Sequence, residues 1–319
     1  MRISLAELQK RAVRLNARLS LCDICPRKCG VNRLVGERSY CHSAGSPIVA
    51  SYCVHRGEEP AISGTRGSGT IFLGNCNLRC VFCQNYQISQ DWQKQEANAV
   101  SIEKLADIML ELQSRDCHNI NLVSPSHFVP QIVSALALAV PRGLNLPLVY
   151  NTNAYDNVET LRELDGIIDI YLPDIKYSDD EKAVLYSSAS DYTATCREAI
   201  KEMWKQVGAL VVDEDEVARR GTIMRHLILP NNIAGSRESL NWLSEEVSND
   251  VTVSMMSQYQ PMYRASLFPE ISRTITTEEY DEAMRAFEYS GIENGWAQEP
   301  DAPETYIPDF GKEGHPFEK

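Results

Sequence analysis

Eight of the ten cysteines in this chain precede residue 84. Three of these, Cys76, Cys80 and Cys83, stand in GNCNLRCVFCQNYQIS, directly behind the apolar run TIFLG. A CxxxCxxC loop can wrap three sulfurs around three corners of a cubane 4Fe-4S cluster and leave the fourth iron without a protein ligand. An open iron can bind a second molecule, so the spacing points to a reactive cluster. A ferredoxin-like carrier would need all four corners ligated. The bland alternatives are half a zinc knuckle or buried thiols, but zinc sites usually pair two CxxC units to reach four ligands.

A second group comprises Cys22, Cys25 and Cys29, followed by Cys41 after a short polar stretch. Four thiolates close a site completely, as structural zinc or an auxiliary 4Fe-4S cluster requires; the spacing leaves both open, along with metal-free thiols. Cys117 and Cys196 read as buried small hydrophobes. His226, in RHLILP, reads as a satisfied core histidine rather than a ligand.

The elements that position these groups follow from periodicity. Short β-branched runs at residues 70–74, 119–124, 146–151, 167–172, 222–229 and 251–257 alternate with helical patterns, which predicts six parallel strands joined by crossovers. Ser101 N-caps a helix with Ile102, Leu105, Ala106, Met109 and Leu112 on one stripe. Pro130 opens another, ahead of Ile132, Val133, Leu136 and Leu138. A capping box at Thr276 to Glu279 starts a helix that ends near Gly291. Beyond Trp296 the chain is polar and Pro-rich, either disordered or folded back as an extended strap. In a curved parallel sheet, reactive groups belong at the carboxyl ends of the strands.

A net charge of -13 without clustered Lys and Arg argues against a nucleic-acid surface. No run approaches a membrane span, and the opening MRISLAELQKRAVRLNARLSL lacks the apolar core of a secretion signal, so a cytoplasmic protein is expected and metal ligation outweighs disulfides.

Several stretches together carry a family likeness: CDICPRKCGVNR, HRGEEPAISGTRGSGTIFLGNCNLRCVFCQNYQIS, NLVSPSHFVPQI, YNTNAYD, DIYLPDIKY, RHLILP and MSQYQP. The chain resembles the radical S-adenosylmethionine (SAM) superfamily, and within it the pyruvate formate-lyase activating enzyme-like branch found in AmmeMemoRadiSam systems. The resemblance implies an α/β fold, a partial (β/α)6 TIM-like barrel with the cluster after the first strand and SAM across the strand ends. It divides the chain into an N-terminal Cys-rich extension at 1–66, the barrel at 67–265, and a C-terminal helix with an extended tail at 266–319. It also implies an oxidoreductase in which a reduced cluster cleaves SAM to methionine and a 5'-deoxyadenosyl radical that abstracts hydrogen, fed by a flavodoxin or ferredoxin.

Residue by residue, Asp174-Ile175-Lys176 matches the Asp-x-Lys stretch of activating enzymes, in which the lysine faces the SAM carboxylate. Asn151-Thr152-Asn153 matches their cation-binding stretch, with Asn where they carry Asp. Ser124-Pro125-Ser126-His127 replaces their Gly-Gly-Glu, and Gln260 stands where they often place a histidine near SAM. With Phe82, the aromatic before the last cysteine, these are the SAM-side candidates. His55, Glu58 and Glu59 of the HRGEEP segment are candidates for substrate contact or, equally, parts of a polar turn. The Asp174 and Lys176 pair has its own bland reading, a surface salt bridge. The substrate remains open between a glycyl-radical partner protein and a small molecule or peptide; a non-catalytic iron-sulfur or zinc protein is the competing class.

Overall fold

The computed structural model describes residues 1–299, 307–311 and 315–317. Its strands are β1 Val49–His55, β2 Ser68–Leu73, β3 Ile120–Val123, β4 Leu148–Thr152, β5 Ile170–Pro173, β6 Val211–Val212, β7 Ala218–Leu227, β8 Thr252–Met256 and β9 Asn294–Ala297. Each of the six predicted runs is a strand. They pair in the order β1-β2-β3-β4-β5-β7-β8-β9, and from β2 to β9 every neighbour on that path is parallel. β1 is antiparallel to β2, and β6 makes a short antiparallel ladder with β7. The fold is α/β, an open parallel barrel whose path ends at β1 and β9.

The interior dictates this arrangement. Every residue of β2, β4, β5 and β8 is buried, as strands covered on both faces must be, which is why their sequences read as near-continuous apolar runs. Outside them, helix Ile102–Ser114 is capped by the Ser101 side chain, which accepts from Lys104 N–H, and it buries the anticipated Leu105, Ala106, Met109 and Leu112. Helix Val129–Ala139 has Pro130 in its first turn and buries Ile132, Val133 and Leu136. Leu138 departs from expectation: two residues from Leu136 on a 100° wheel, it faces outward and is 38% exposed. The capping box at Thr276 and Glu279 is formed in full and opens helix Thr277–Tyr289.

The N-terminal extension has no core of its own. Leu8, Leu15 and Leu19 join Leu105, Met109, Ile132 and Leu136 in one cluster, with helix Leu5–Ala17 lying on Val129–Ala139. At the other end, the described tail residues fold back over β1 and β2, as the strap reading anticipated. His315 Nε2 lies 3.0 Å from the Val54 carbonyl, Phe317 stacks on His55 at 4.1 Å, and Phe310 meets Phe72 edge-on. The rest of that tail lies outside the described residues. No described helix is long and apolar enough to cross a membrane.

Candidate cluster and cofactor cavity

A cavity of about 490 Å³ opens into the barrel. Cys76, Cys80 and Cys83 line it together with Phe82, Ser124, Asn151, Asn153, Asp174, Lys176, His55, Glu58 and Glu59, so twelve of the thirteen cavity candidates meet in one place. Gln260 does not. After β8 the chain turns, with Met262 N–H donating to the Gln260 carbonyl, and Gln258 is the glutamine that faces the cavity.

The loop after β2 is built to hold three sulfurs. Cys76 Sγ accepts from Leu78 N–H at 3.4 Å and from the Asn153 amide at 3.5 Å. Cys80 Sγ accepts from Ser187 Oγ at 3.0 Å, and Cys83 Sγ lies 3.2 Å from Ser89 Oγ. Burial raises all three thiols, Cys83 to about 12 with help from Cys80 and Cys76. A buried thiol stays protonated unless something positive takes its charge. Donors aimed at sulfur are the partners a ligated thiolate needs.

Across the cavity, Lys176 Nζ pairs with Asp174 Oδ2 at 2.6 Å, as the salt-bridge reading expected, but both side chains are less than one-fifth exposed. Desolvation alone would lower the lysine, yet Asp174 and Cys80 outweigh it and the ammonium is held charged. Asn151 Oδ1 accepts from Arg225 Nη1 at 3.2 Å. Ser124 ends β3 with φ +58°, a left-handed conformation that glycine adopts freely and serine does not.

Deeper in, Arg225 stands among carboxylates: Glu59 Oε1 and Asp174 Oδ1 at 3.4 Å and Glu58 Oε2 at 3.8 Å. Burial raises the Glu58 carboxyl, Arg225 pulls it back down, and the neighbouring Glu59 charge adds to the rise. The sequence had not singled out Arg225, Ser89, Ser187 or Asn77, whose side chain donates to the Tyr155 carbonyl and accepts from the Asn153 amide. An Asn inside the cysteine loop was a visible cue; the two serines belong to segments remote from any recognisable motif.

The second cysteine group lies elsewhere. Cys22, Cys25 and Cys41 are buried and Cys29 is half-buried, and none of the four is in a disulfide. Burial pushes Cys25 up to about 12, with further upward contributions from Cys41, Cys22 and Cys29. Arg33 Nη1 lies 3.8 Å from Cys22 Sγ. Among the described residues no three His, Cys, Asp or Glu side chains stand together as a ready single-ion site. Between the two groups Tyr40 is stacked by Arg27 at 3.8 Å and by Arg79 at 4.7 Å. The remaining assignments hold: Cys117 and Cys196 are buried, and His226 is satisfied by the Ile175 carbonyl and Ser236 Oγ.

The family model for the radical SAM superfamily matches residues 70–227, the stretch from β2 to the end of β7. That stretch is a radical SAM superfamily domain. It is 32% identical over 271 residues to the uncharacterized protein MJ0674 of Methanocaldococcus jannaschii, covering 84% of this chain and 74% of that one. A second uncharacterized protein of that organism, MJ0808, is 25% identical over 210 residues, 60% of each chain. The crystal structure of HydG, a maturase of the FeFe-hydrogenase, aligns with TM-score 0.49 and 12% identity over 92% of this chain and 63% of that one, so this chain spans less than two-thirds of it. A radical SAM protein binds a 4Fe-4S cluster and SAM. The residues present fit both: two buried thiols and one half-buried one, each with a hydrogen-bonding partner, and a charged lysine lining the same cavity.

Proposed function

We propose that this radical SAM enzyme holds its cluster on Cys76, Cys80 and Cys83, seats SAM against Lys176, and abstracts hydrogen from a small molecule bound deeper in the same cavity. The observation that carries this reading is that the three thiols and Lys176 line one cavity. The bound cluster and SAM would together supply a 5'-deoxyadenosyl radical. Lys176 would give the SAM carboxylate a charge-assisted partner, with Asp174 fixing the ammonium in place. Ser187, Ser89 and Asn153 would orient the sulfurs. Phe82, edge-on to Tyr259 at 5.7 Å, would keep water from that wall.

A small substrate is favoured over a partner's glycyl loop because Pro308 and Phe317 of this chain's own tail line the cavity. The Asp-x-Lys stretch supports the activase version. For the second cysteine group we propose an auxiliary 4Fe-4S cluster, with zinc as the alternative; an external flavodoxin or ferredoxin would deliver the electron.

Anaerobic reconstitution, dithionite reduction and chromatography after adding SAM test the central claim. Wild-type protein should release 5'-deoxyadenosine and Cys80→Ala should not; equal product from both would sink the assignment. Iron and zinc content of Cys25→Ser against wild type decides the second group.

A further inference from the structure

We propose that the deep half of the cavity, at Glu58 and Glu59, anchors the substrate through a protonated amine. The inference rests on the radical SAM reading of the cavity and names the substrate class for it.

Depth follows from strand register. Glu58 Oε1 accepts from Asn121 Nδ2 at 2.9 Å, and Asn121 pairs with Thr70. Thr70 lies three residues before Leu73, the end of β2 from which the cysteine loop springs. At the rise of a strand the pair sits roughly 10 Å below that end. Arg225, in β7, connects this level to Asp174 above it.

Charge and hydrogen bonding then define the missing occupant. Three carboxylates, Glu58, Glu59 and Asp174, share two cations, and Lys176 is already committed to Asp174. Glu59 is 92% buried by its 8% exposure, yet its Oε2 has no partner, and Asn121 Oδ1 in the same wall has none either. Arg225 Nε lies 3.4 Å from both Glu59 and Asp174 without the alignment of a hydrogen bond. The unmet atoms around the pair are three acceptors, Glu59 Oε2, Asn121 Oδ1 and Asp174 Oδ1, against one donor, Arg225 Nε. A bare buried acceptor destabilises the site, and an N–H-rich cation removes that penalty. Phe72, Trp296 and Phe317 line the same cavity, and aromatic rings attract cations. An anionic ligand would meet three carboxylates and find one open donor, Arg225 Nε, against three open acceptors.

The test uses the full chain, reconstituted with cluster and SAM, titrated calorimetrically with n-butylammonium, n-butanol and butyrate, probes alike in shape and different in charge. Butylammonium should bind saturably, n-butanol at least about tenfold more weakly, and butyrate not at all. Glu59→Gln should weaken the ammonium about tenfold or more, the loss of one charged hydrogen bond. Butyrate binding as well as butylammonium would overturn the proposal, as would an unchanged affinity in Glu59→Gln. So would a Glu59→Gln protein whose SAM affinity falls as far as its ammonium affinity, since the pair would then serve SAM's own amine. Glu58→Gln replaces the variant if Glu59→Gln does not fold, and the wild-type ranking needs no variant. Ammonium preference without any 5'-deoxyadenosine would uphold the anchoring pocket and defeat the radical reading, which keeps the two failures apart.

Discussion

Ser187 Oγ donates to Cys80 Sγ at 3.0 Å while lying 2.7 Å from the Tyr177 hydroxyl, although the serine is 107 residues further along the chain than the thiol. Hydrogen bonds to cluster sulfurs stabilise the more negative, reduced state and so raise the reduction potential. Ser187→Ala should therefore shift the midpoint potential of the reconstituted cluster downward while iron content stays at the wild-type level. An electrochemical titration monitored by electron paramagnetic resonance reads this, and an unmoved or raised potential would remove Ser187 from the sulfur's environment.

Lys176 offers a test of the SAM seat. Replacing it with Met keeps the stem and deletes the ammonium. A lost charged hydrogen bond is worth about 1.5–3 kcal/mol, so SAM affinity should fall roughly ten- to a hundredfold. Equilibrium dialysis on cluster-loaded protein measures it, and a change below about twofold would place the SAM carboxylate elsewhere.

Two tail residues, His315 and Phe317, lie against the His55 ring. Burial, then His315 and Arg225, depress its pKa to about 4, and Phe317 covers its ring. A histidine depressed in the folded state favours folding above its unfolded value of about 6.5, a benefit lost as pH falls toward about 4. Removing residues 300–319 strips away His315 and Phe317. In the truncated protein His55 should titrate closer to its ordinary range, visible in its imidazole NMR signals, and the acid-side loss of stability should shrink. A His55 still titrating near 4 would show that the tail does not set its environment.

Glu279 makes the analogous case for a carboxylate. Its side chain meets Arg273 twice at 2.8 Å and accepts from the Thr276 and Asn231 backbones. Arg273 is the largest cause of a pKa lowered to about 2. A depressed carboxylate stabilises the fold above its unfolded value and loses that contribution as pH falls toward about 2. Glu279→Ala should cost about 1 kcal/mol at neutral pH, the scale of a lost cap, and the difference from wild type should fade in acid. Denaturant unfolding at pH 7 and pH 3 checks both statements.

The parts of the fold legible in the sequence were those with periodic burial. All six predicted strands were found because parallel strands sealed on both faces leave unbroken apolar runs. β1 was not seen: its pattern Val-Ala-Ser-Tyr-Cys-Val-His mixes half-buried positions and sits amid cysteines read for metal. β9, Asn-Gly-Trp-Ala, has too little side chain to signal a strand, and it exists because β8 offers a free edge. Within the cavity, motif spacing brought out the thiols and the Asp174 and Lys176 pair. Arg225 and Ser187 escaped because their importance depends on which residues the barrel brings opposite them, and one-dimensional order holds no record of that.

Arg33 is 1% exposed, and its guanidinium reaches the Ala44 and His127 carbonyls as well as Cys22 Sγ. His127 belongs to the barrel and Cys22 to the extension. Were the extension to peel away alone, Arg33 would have to leave that network, and His127 would lose its donor inside the protein. The two regions are thereby locked into a common melting event: with Arg33 in place they should unfold as one cooperative unit, and chain from either side is poorly suited to a half-folded existence.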